Sequence, residues 1–214
     1  LEIGVHRGKT FEAISASYRF GVDPFPDFNL AQLPANSKIV VSTSREFFKN
    51  YEGDKFNFIF VDGLHESTEA YLDLIDSLNI LADGGMILLD DVLPSDEESA
   101  LPTKSGAAEA QDRAQINHGR WYGDVWKVAR LVVKKYPDLE LLVLGRGGDD
   151  HGQAVIFRRP DFKEKIVPKQ EDITFMSNLD FFDSVFDSVD SLDKTAYPEN
   201  LGLAAVAQLL NARS

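Results

Sequence analysis

Asp62, His65, Asp90 and Asp91 are the residues whose types and spacing promise chemistry. The first two close the apolar run Phe56 to Asp62, and the last two close the run Met86 to Asp90. Strand ends of this kind lie beside one another in a parallel sheet, so three carboxylates meet at one edge. Hard cations such as magnesium favour clustered carboxylate oxygens plus water, and a bound cation lowers the pKa of an oxygen it holds. Asp62, Asp90 and Asp91 are therefore the candidate metal ligands. His65 has an ordinary pKa of about 6.5, suited to proton transfer near neutrality. A plainer reading stands beside this one: aspartates after strands commonly cap the next helix, and such a histidine can serve only as a hydrogen-bonding group.

The second constellation opens the chain, in Glu2-Ile3-Gly4-Val5-His6-Arg7-Gly8. A strand-to-helix turn that carries a ligand needs glycines where backbone and ligand approach, and the new helix offers free amides and a positive dipole end. Gly4 and Gly8 meet that need. Asp23 ends the second expected strand, where a carboxylate can take both hydroxyls of a ribose. A dinucleotide fingerprint requires G-x-G-x-x-G, which Gly4, His6 and Arg7 do not supply. A phosphate-binding P-loop requires G-x-x-x-x-G-K-[ST], and Gly4 to Thr10 is one residue short of it. The P-loop nucleotide hydrolase stays as an alternative, with Phe58 to Asp62 imitating its partner strand.

These residues need a scaffold, and the pattern along the chain is apolar strand, turn, amphipathic helix, repeated. That pattern predicts an α/β, doubly wound, mostly parallel seven-stranded sheet with helices on both faces. Strands are expected at Leu1–Ile3, Tyr18–Asp23, Lys38–Ser42, Phe56–Asp62, Met86–Asp90, Leu139–Leu144 and Gln153–Phe157. The last link is too short for a parallel crossover, so the final strand is antiparallel. Helices are expected over Lys9–Ser17, from an N-cap at Ser44 to Tyr51, over 66–81 and over Trp121–Tyr136. Residues 93–118 lack periodicity and are expected to be a mobile loop at the carboxyl edge. His118 and His151 fall in expected loops, and His118 enters the site if its loop folds over. Trp121 and Tyr122 either wall an acceptor pocket or pack in the core. The sheet domain spans 1–160. A carboxyl-terminal extension, 161–214, carries the stripe Phe181, Phe182, Val185, Phe186, Val189 and Leu192, suited to packing on the domain or on a second subunit of a homo-oligomer.

Composition narrows the classes. The 214 residues carry a formal charge of −13, a surface that repels nucleic-acid backbones and anionic membranes. Cysteine is absent, which excludes disulfides, thiolate metal sites and thiol nucleophiles. No apolar run approaches the length of a transmembrane helix, and a cytoplasmic protein is the expectation. The first strand has only Leu1-Glu2-Ile3 before its glycine, so an upstream segment is expected in the native protein.

Glu2-x-Gly4-x-x-x-Gly8 resembles the first motif of class I S-adenosylmethionine-dependent methyltransferases. Asp23, in Gly21-Val22-Asp23-Pro24-Phe25, is similar to that family's ribose-binding acid. Asp62-Gly63-x-His65, Leu81-x-x-Gly84-Gly85 and Asp90-Asp91 resemble later motifs of its small-molecule O-methyltransferase branch. The resemblance covers roughly residues 1–158 and implies a Rossmann-like methyltransferase fold with S-adenosylmethionine as cofactor. It implies Glu2, Gly4, Gly8, Asp23, Ser44 and Asp62 as cofactor-binding residues. Asp62 and His65 become the catalytic residues, His65 as general base. Similar catechol-type and macrolide-sugar enzymes imply magnesium on Asp62, Asp90 and Asp91. The expected reaction is methyl transfer to a hydroxyl of a small molecule, a sugar or natural product, and a cofactor-binding protein without transfer activity is the non-enzymatic alternative.

Overall fold

The computed structural model describes residues 1–145, 152–159, 161 and 164–181. Seven strands form one sheet: β1 (Glu2–Ile3), β2 (Arg19–Val22), β3 (Ser37–Val40), β4 (Phe56–Val61), β5 (Leu81–Leu89), β6 (Leu139–Leu144) and β7 (Gln153–Arg158). Their order is β3-β2-β1-β4-β5-β7-β6. Pairs from β3 through β5 are parallel, and β7 runs antiparallel to both β5 and β6. The chain order reverses at β1, so the β1–β4 boundary is the switch point where such sheets bind ligands. Asp83-Gly84-Gly85 does not interrupt β5. It lies inside the strand, as an irregularity between the Phe56↔Leu81 and Phe58↔Met86 pairings.

Helices are α1 (Lys9–Ala13), α2 (Ser44–Asn50), α3 (Ser67–Asn79), α4 (Lys104–Ala114), α5 (Trp126–Lys135) and α6 (Gln170–Ser177). Pleating sends Phe20 and Val22 to one face of β2, where they pack with Phe47 of α2. A side chain at Gly21, on the other face, would meet Phe11 of α1. The two faces are thus both covered. The main core joins Ile59, Val61, Ile87, Leu89 and Ile156 of the sheet to Tyr71, Leu74, Leu78, Val128 and Leu131 of α3 and α5.

Several boundaries differ from expectation for local reasons. Thr43, not Ser44, caps α2, its hydroxyl accepting from the Glu46 amide at 3.2 Å. Residues 121–125 precede α5 rather than opening it, and Val133 is exposed. The stretch 93–118 is not one irregular loop: α4 lies inside it, capped by Thr103, with Ala107 and Gln111 buried. Its polar, small-residue composition hides the helix because little of it is buried. Residues 164–181 pack on the sheet domain, while the rest of the apolar stripe beyond Phe181 lies outside the described residues.

That packing centres on a buried carboxylate. Asp172 of α6 accepts from the Tyr71 hydroxyl at 2.8 Å and from the Tyr136 hydroxyl at 2.5 Å. Burial, first, and then Asp172 push both phenols above their ordinary pKa, and they stay protonated donors. Asp172→Ala should cost about 2–4 kcal/mol, because it strands two phenol donors at the α3–α5–α6 junction. Chemical denaturation checks this, and a loss under about 0.5 kcal/mol would show that the apolar contacts alone hold α6.

Candidate active site

At the end of β1 the chain passes between its two neighbours. The Gly4 amide donates to Val22 at 2.9 Å, and the Asp62 amide donates to Ile3 at 2.9 Å. Gly4 has φ 89°, and a Cβ there would lie 1.8 Å from the Asp62 carbonyl oxygen. The approach of the chain leaving β4 by itself requires a glycine here. Gly8, at φ 72°, starts α1 with its amide turned back to Val5 at 2.8 Å and its Cα facing the Phe28 ring.

Asp23 does more than end β2. It is buried, and its two carboxylate oxygens accept from the His6 and Phe25 amides, both at 2.7 Å. It therefore fixes the glycine turn, and each oxygen retains lone pairs for further donors. Glu2 is only 4% exposed, and its Oε2 has no hydrogen-bond partner. Burial, first, then the charge of Asp62, raise its pKa to about 8; the amino terminus opposes this and Asp23 adds to it. Ser44 opens α2 with its hydroxyl bonded to Asp73, which also pairs with Arg45, so its side chain joins a link between α2 and α3.

Beyond β4 and β5 the acidic residues come together as a trio with His65. His65 Nδ1 lies 2.8 Å from Asp91 Oδ2, and Nε2 lies 3.5 Å from Asp62 Oδ1. One donor atom from each of Asp62, His65 and Asp91 falls within 4.8 Å of the others. Asp91 reaches His65 from a left-handed backbone at φ 60°, a conformation that aspartate tolerates better than most residues. Its side chain is 5% exposed against 31% for Asp62, so the trio is closed at Asp91 and open at Asp62. Asp90 stands outside the trio. Its Oδ1 accepts from the Asp91 amide at 3.0 Å and from Gln153 Nε2 at 3.2 Å. Burial, then the charges of Asp62 and Asp91, raise its pKa to about 6 against those two hydrogen bonds.

The same carboxylates change what His65 is. Burial is the largest influence and lowers its pKa, but hydrogen bonds and charges from Asp62 and Asp91 together outweigh it, raising it to about 10. His65 is an imidazolium at neutral pH, not the unperturbed base that its ordinary pKa suggests.

Sequence reasoning left Gly123, Asp124 and Gln153 outside the site and offered Trp121 either to an acceptor pocket or to the core. Trp121 stacks on His65 with ring centroids 4.8 Å apart and planes 15° from parallel. Gly123 passes so close that a Cβ would lie 1.7 Å from the His65 carbonyl oxygen. Asp124 caps α3, accepting from the Ser67 amide at 2.7 Å and its hydroxyl at 2.9 Å. The glycine in Trp121-Tyr122-Gly123-Asp124 was the available signal of a close approach. His118, expected in solvent, bonds Asp96 at 2.7 Å, and the His6 side chain is exposed. His151 lies outside the described residues.

Residues 1–92, which include the glycine turn, Asp23, Asp62, His65 and Asp91, match the family described as a methyltransferase domain. Over this stretch the chain is similar to that family. Solved structures similar to it include a cofactor-bound protein, Rv0187 from MTB, at 17% identity, covering 75% of this chain and 72% of that one, TM-score 0.49. An O-methyltransferase from Bacillus cereus in complex with S-adenosylhomocysteine has 16% identity, coverage of 72% and 71%, and TM-score 0.47. The O-methyltransferase TomG from Streptomyces achromogenes, in complex with S-adenosylmethionine, has 15% identity, coverage of 73% and 71%, and TM-score 0.46. Comparison with curated proteins gave no match.

The trio makes a testable charge statement. NMR titration of the ligand-free protein should show His65 losing its proton near pH 10, and Asp91→Asn should move that value down towards about 6.5. The sign for stability follows: a folded-state pKa above the unfolded one adds stability that is complete below about pH 6.5 and lost as pH rises through about 10. A His65 resonance titrating near 6.5 in the unmutated protein would refute the coupling.

Proposed function

We propose that this methyltransferase moves the methyl group of S-adenosylmethionine to a hydroxyl of a small-molecule acceptor at the Asp62–His65–Asp91 trio. The observation that carries the reading is the placement of that trio at the carboxyl ends of β4 and β5, next to the turn at Gly4. The likeness of Asp62-Gly63-x-His65 and Asp90-Asp91 to motifs of small-molecule O-methyltransferases supports the hydroxyl as target. An acidic surface of net charge −13 supports a small acceptor over a nucleic acid. No helix among the described residues is long and apolar enough to cross a membrane.

Each residue has a separate task. The turn from Gly4 to Gly8 presents backbone at the switch point, and Asp23 takes the ribose hydroxyls while keeping the turn in shape. Buried Glu2, neutral at pH 7, offers a hydrogen bond beneath the turn without adding a second negative charge beside Asp62. The carboxylates of Asp62 and Asp91 fit a hard cation such as magnesium, being two oxygen donors at one edge with open access at Asp62. A cation there would lower the pKa of a bound hydroxyl. A cation held by Asp62 and Asp91 would offset the charges that keep the proton on His65, and Nε2 of the neutral ring, towards the open side, would then be the atom placed to receive the hydroxyl proton. Holding the proton there keeps it from returning to the acceptor oxygen as the methyl group arrives.

Titration calorimetry with S-adenosylhomocysteine tests the cofactor: the protein should bind it, should not bind ATP with magnesium, and should lose about 1–3 kcal/mol of affinity on Asp23→Ala. Binding of ATP alone would overturn the reading in favour of a nucleotide hydrolase. His65→Ala should lower turnover on an identified acceptor by roughly 10²–10⁴-fold with cofactor affinity nearly unchanged. Full activity in excess chelator would remove the cation from the reading.

A further inference from the structure

We propose that Trp121 is a positioning residue that fixes the plane of the His65 imidazole between Asp62 and Asp91. The proposal rests on the reading of His65 as the proton-receiving residue, and its test is built to fail separately from that reading.

An imidazole rotates broadly about its Cβ–Cγ bond, and only one orientation directs Nδ1 at Asp91 and Nε2 at Asp62. The two carboxylates hold the ring at its ends and do little against tilting about the line that joins them. The indole of Trp121 supplies that restraint, lying 4.8 Å away and 15° from parallel. The indole is itself anchored, with Nε1 donating to the Leu101 carbonyl at 2.8 Å. The following residue continues the attachment, the Tyr122 amide donating to Ser99 at 3.0 Å. On the other side the chain is pinned to the base of His65. Gly123 permits the contact, and the Asp124 amide donates to the His65 carbonyl at 3.3 Å. Asp124 also grips the first turn of α3 through Ser67. The indole is thus held between the 99–101 segment and the loop that carries His65. The orientation of a proton-receiving ring is set by residues from the far side of α4, the part of the chain that borders the acceptor side of the site.

The test uses the full chain, isotopically labelled at histidine, with His65 assigned through His65→Gln. A stacked indole shifts the His65 ring protons upfield. Trp121→Ala should return them downfield, while Trp121→Phe, which keeps an aromatic face, should retain much of the shift. Both variants should bind S-adenosylhomocysteine as the parent does. On an acceptor that the parent methylates, Trp121→Ala should lower kcat by about 10–100-fold with KM for S-adenosylmethionine unchanged, and Trp121→Phe should keep most of the rate. Should the alanine variant not fold, Trp121→Leu removes the ring while keeping apolar volume and makes the same test. His65 resonances unmoved by loss of the indole would overturn the proposal. So would equal kcat in Trp121→Ala and the parent. A parent protein that methylates no acceptor, yet shows the expected resonance shifts, would strike the methyl-transfer reading and leave the contact standing.

Discussion

The contact between Gly4 and the Asp62 carbonyl is the constraint on which the rest of the site depends. A carbonyl oxygen occupies the place that a side chain at position 4 would fill, 1.8 Å from where its Cβ would lie. That closeness lets the chain end β1 and turn while its amide still bonds β2 on one side and Asp62 still bonds β1 on the other. The glycine turn and the first acid therefore share one floor of main chain. Their separation is set by hydrogen-bond geometry between strands, which varies by tenths of an ångström, and not by flexible side chains. A fold built this way places the glycine turn and the Asp62–His65–Asp91 trio against each other without a dedicated linking element.

Charge is the second organising problem. Glu2, Asp23, Asp62, Asp90 and Asp91 converge on one edge of a chain that is already at −13. Water is scarce there, so ionised carboxylates repel and lose hydration together. The structure answers in three ways. Asp23 takes two backbone amides, Glu2 and Asp90 bind protons more tightly than ordinary carboxyls, and His65 is held as a cation between Asp62 and Asp91. Positive charge at the trio is thus a requirement of the fold, which a proton on His65 satisfies here.

Much of the scaffold was legible because it obeys period. The runs Phe56–Val61 and Met86–Leu89 are apolar nearly throughout, as strands covered on both faces must be. The recurrence of Ala70, Tyr71, Leu74, Ile75 and Leu78 marks a helix with one buried face. Asp62 and His65 were legible as neighbours because both follow the same strand. The pairing of His65 with Asp91 instead of Asp90 was not, since it depends on a left-handed backbone at Asp91 that swings one carboxylate towards the histidine while its neighbour turns to Gln153. Thr43 displaced Ser44 as the cap by a single residue, a difference that propensity does not resolve because both side chains cap well.

The stretch between Val92 and Asp124 shows why the acceptor side resisted reading. Its order comes from specific polar contacts, not from a buried stripe: Ser99 and Asp96 bond each other, Asp96 holds His118, and Gln111 reaches the Arg120 carbonyl at 2.6 Å. Bonds of this kind leave no period in the sequence, because each depends on which residues the chain path happens to bring together. They also leave the main core independent of this lobe, since its strands and helices bury Ile59, Ile87, Leu74 and Val128 without help from α4. Substitutions within residues 95–120 can therefore be made at little cost to the sheet, as loops on a rigid scaffold allow. The exception is the junction Trp121-Tyr122-Gly123-Asp124, where the lobe rejoins the core by touching His65 and capping α3. Variation in the lobe is free only up to that point, and there the placement of the His65 ring and the stability of the principal helix are carried by the same few residues.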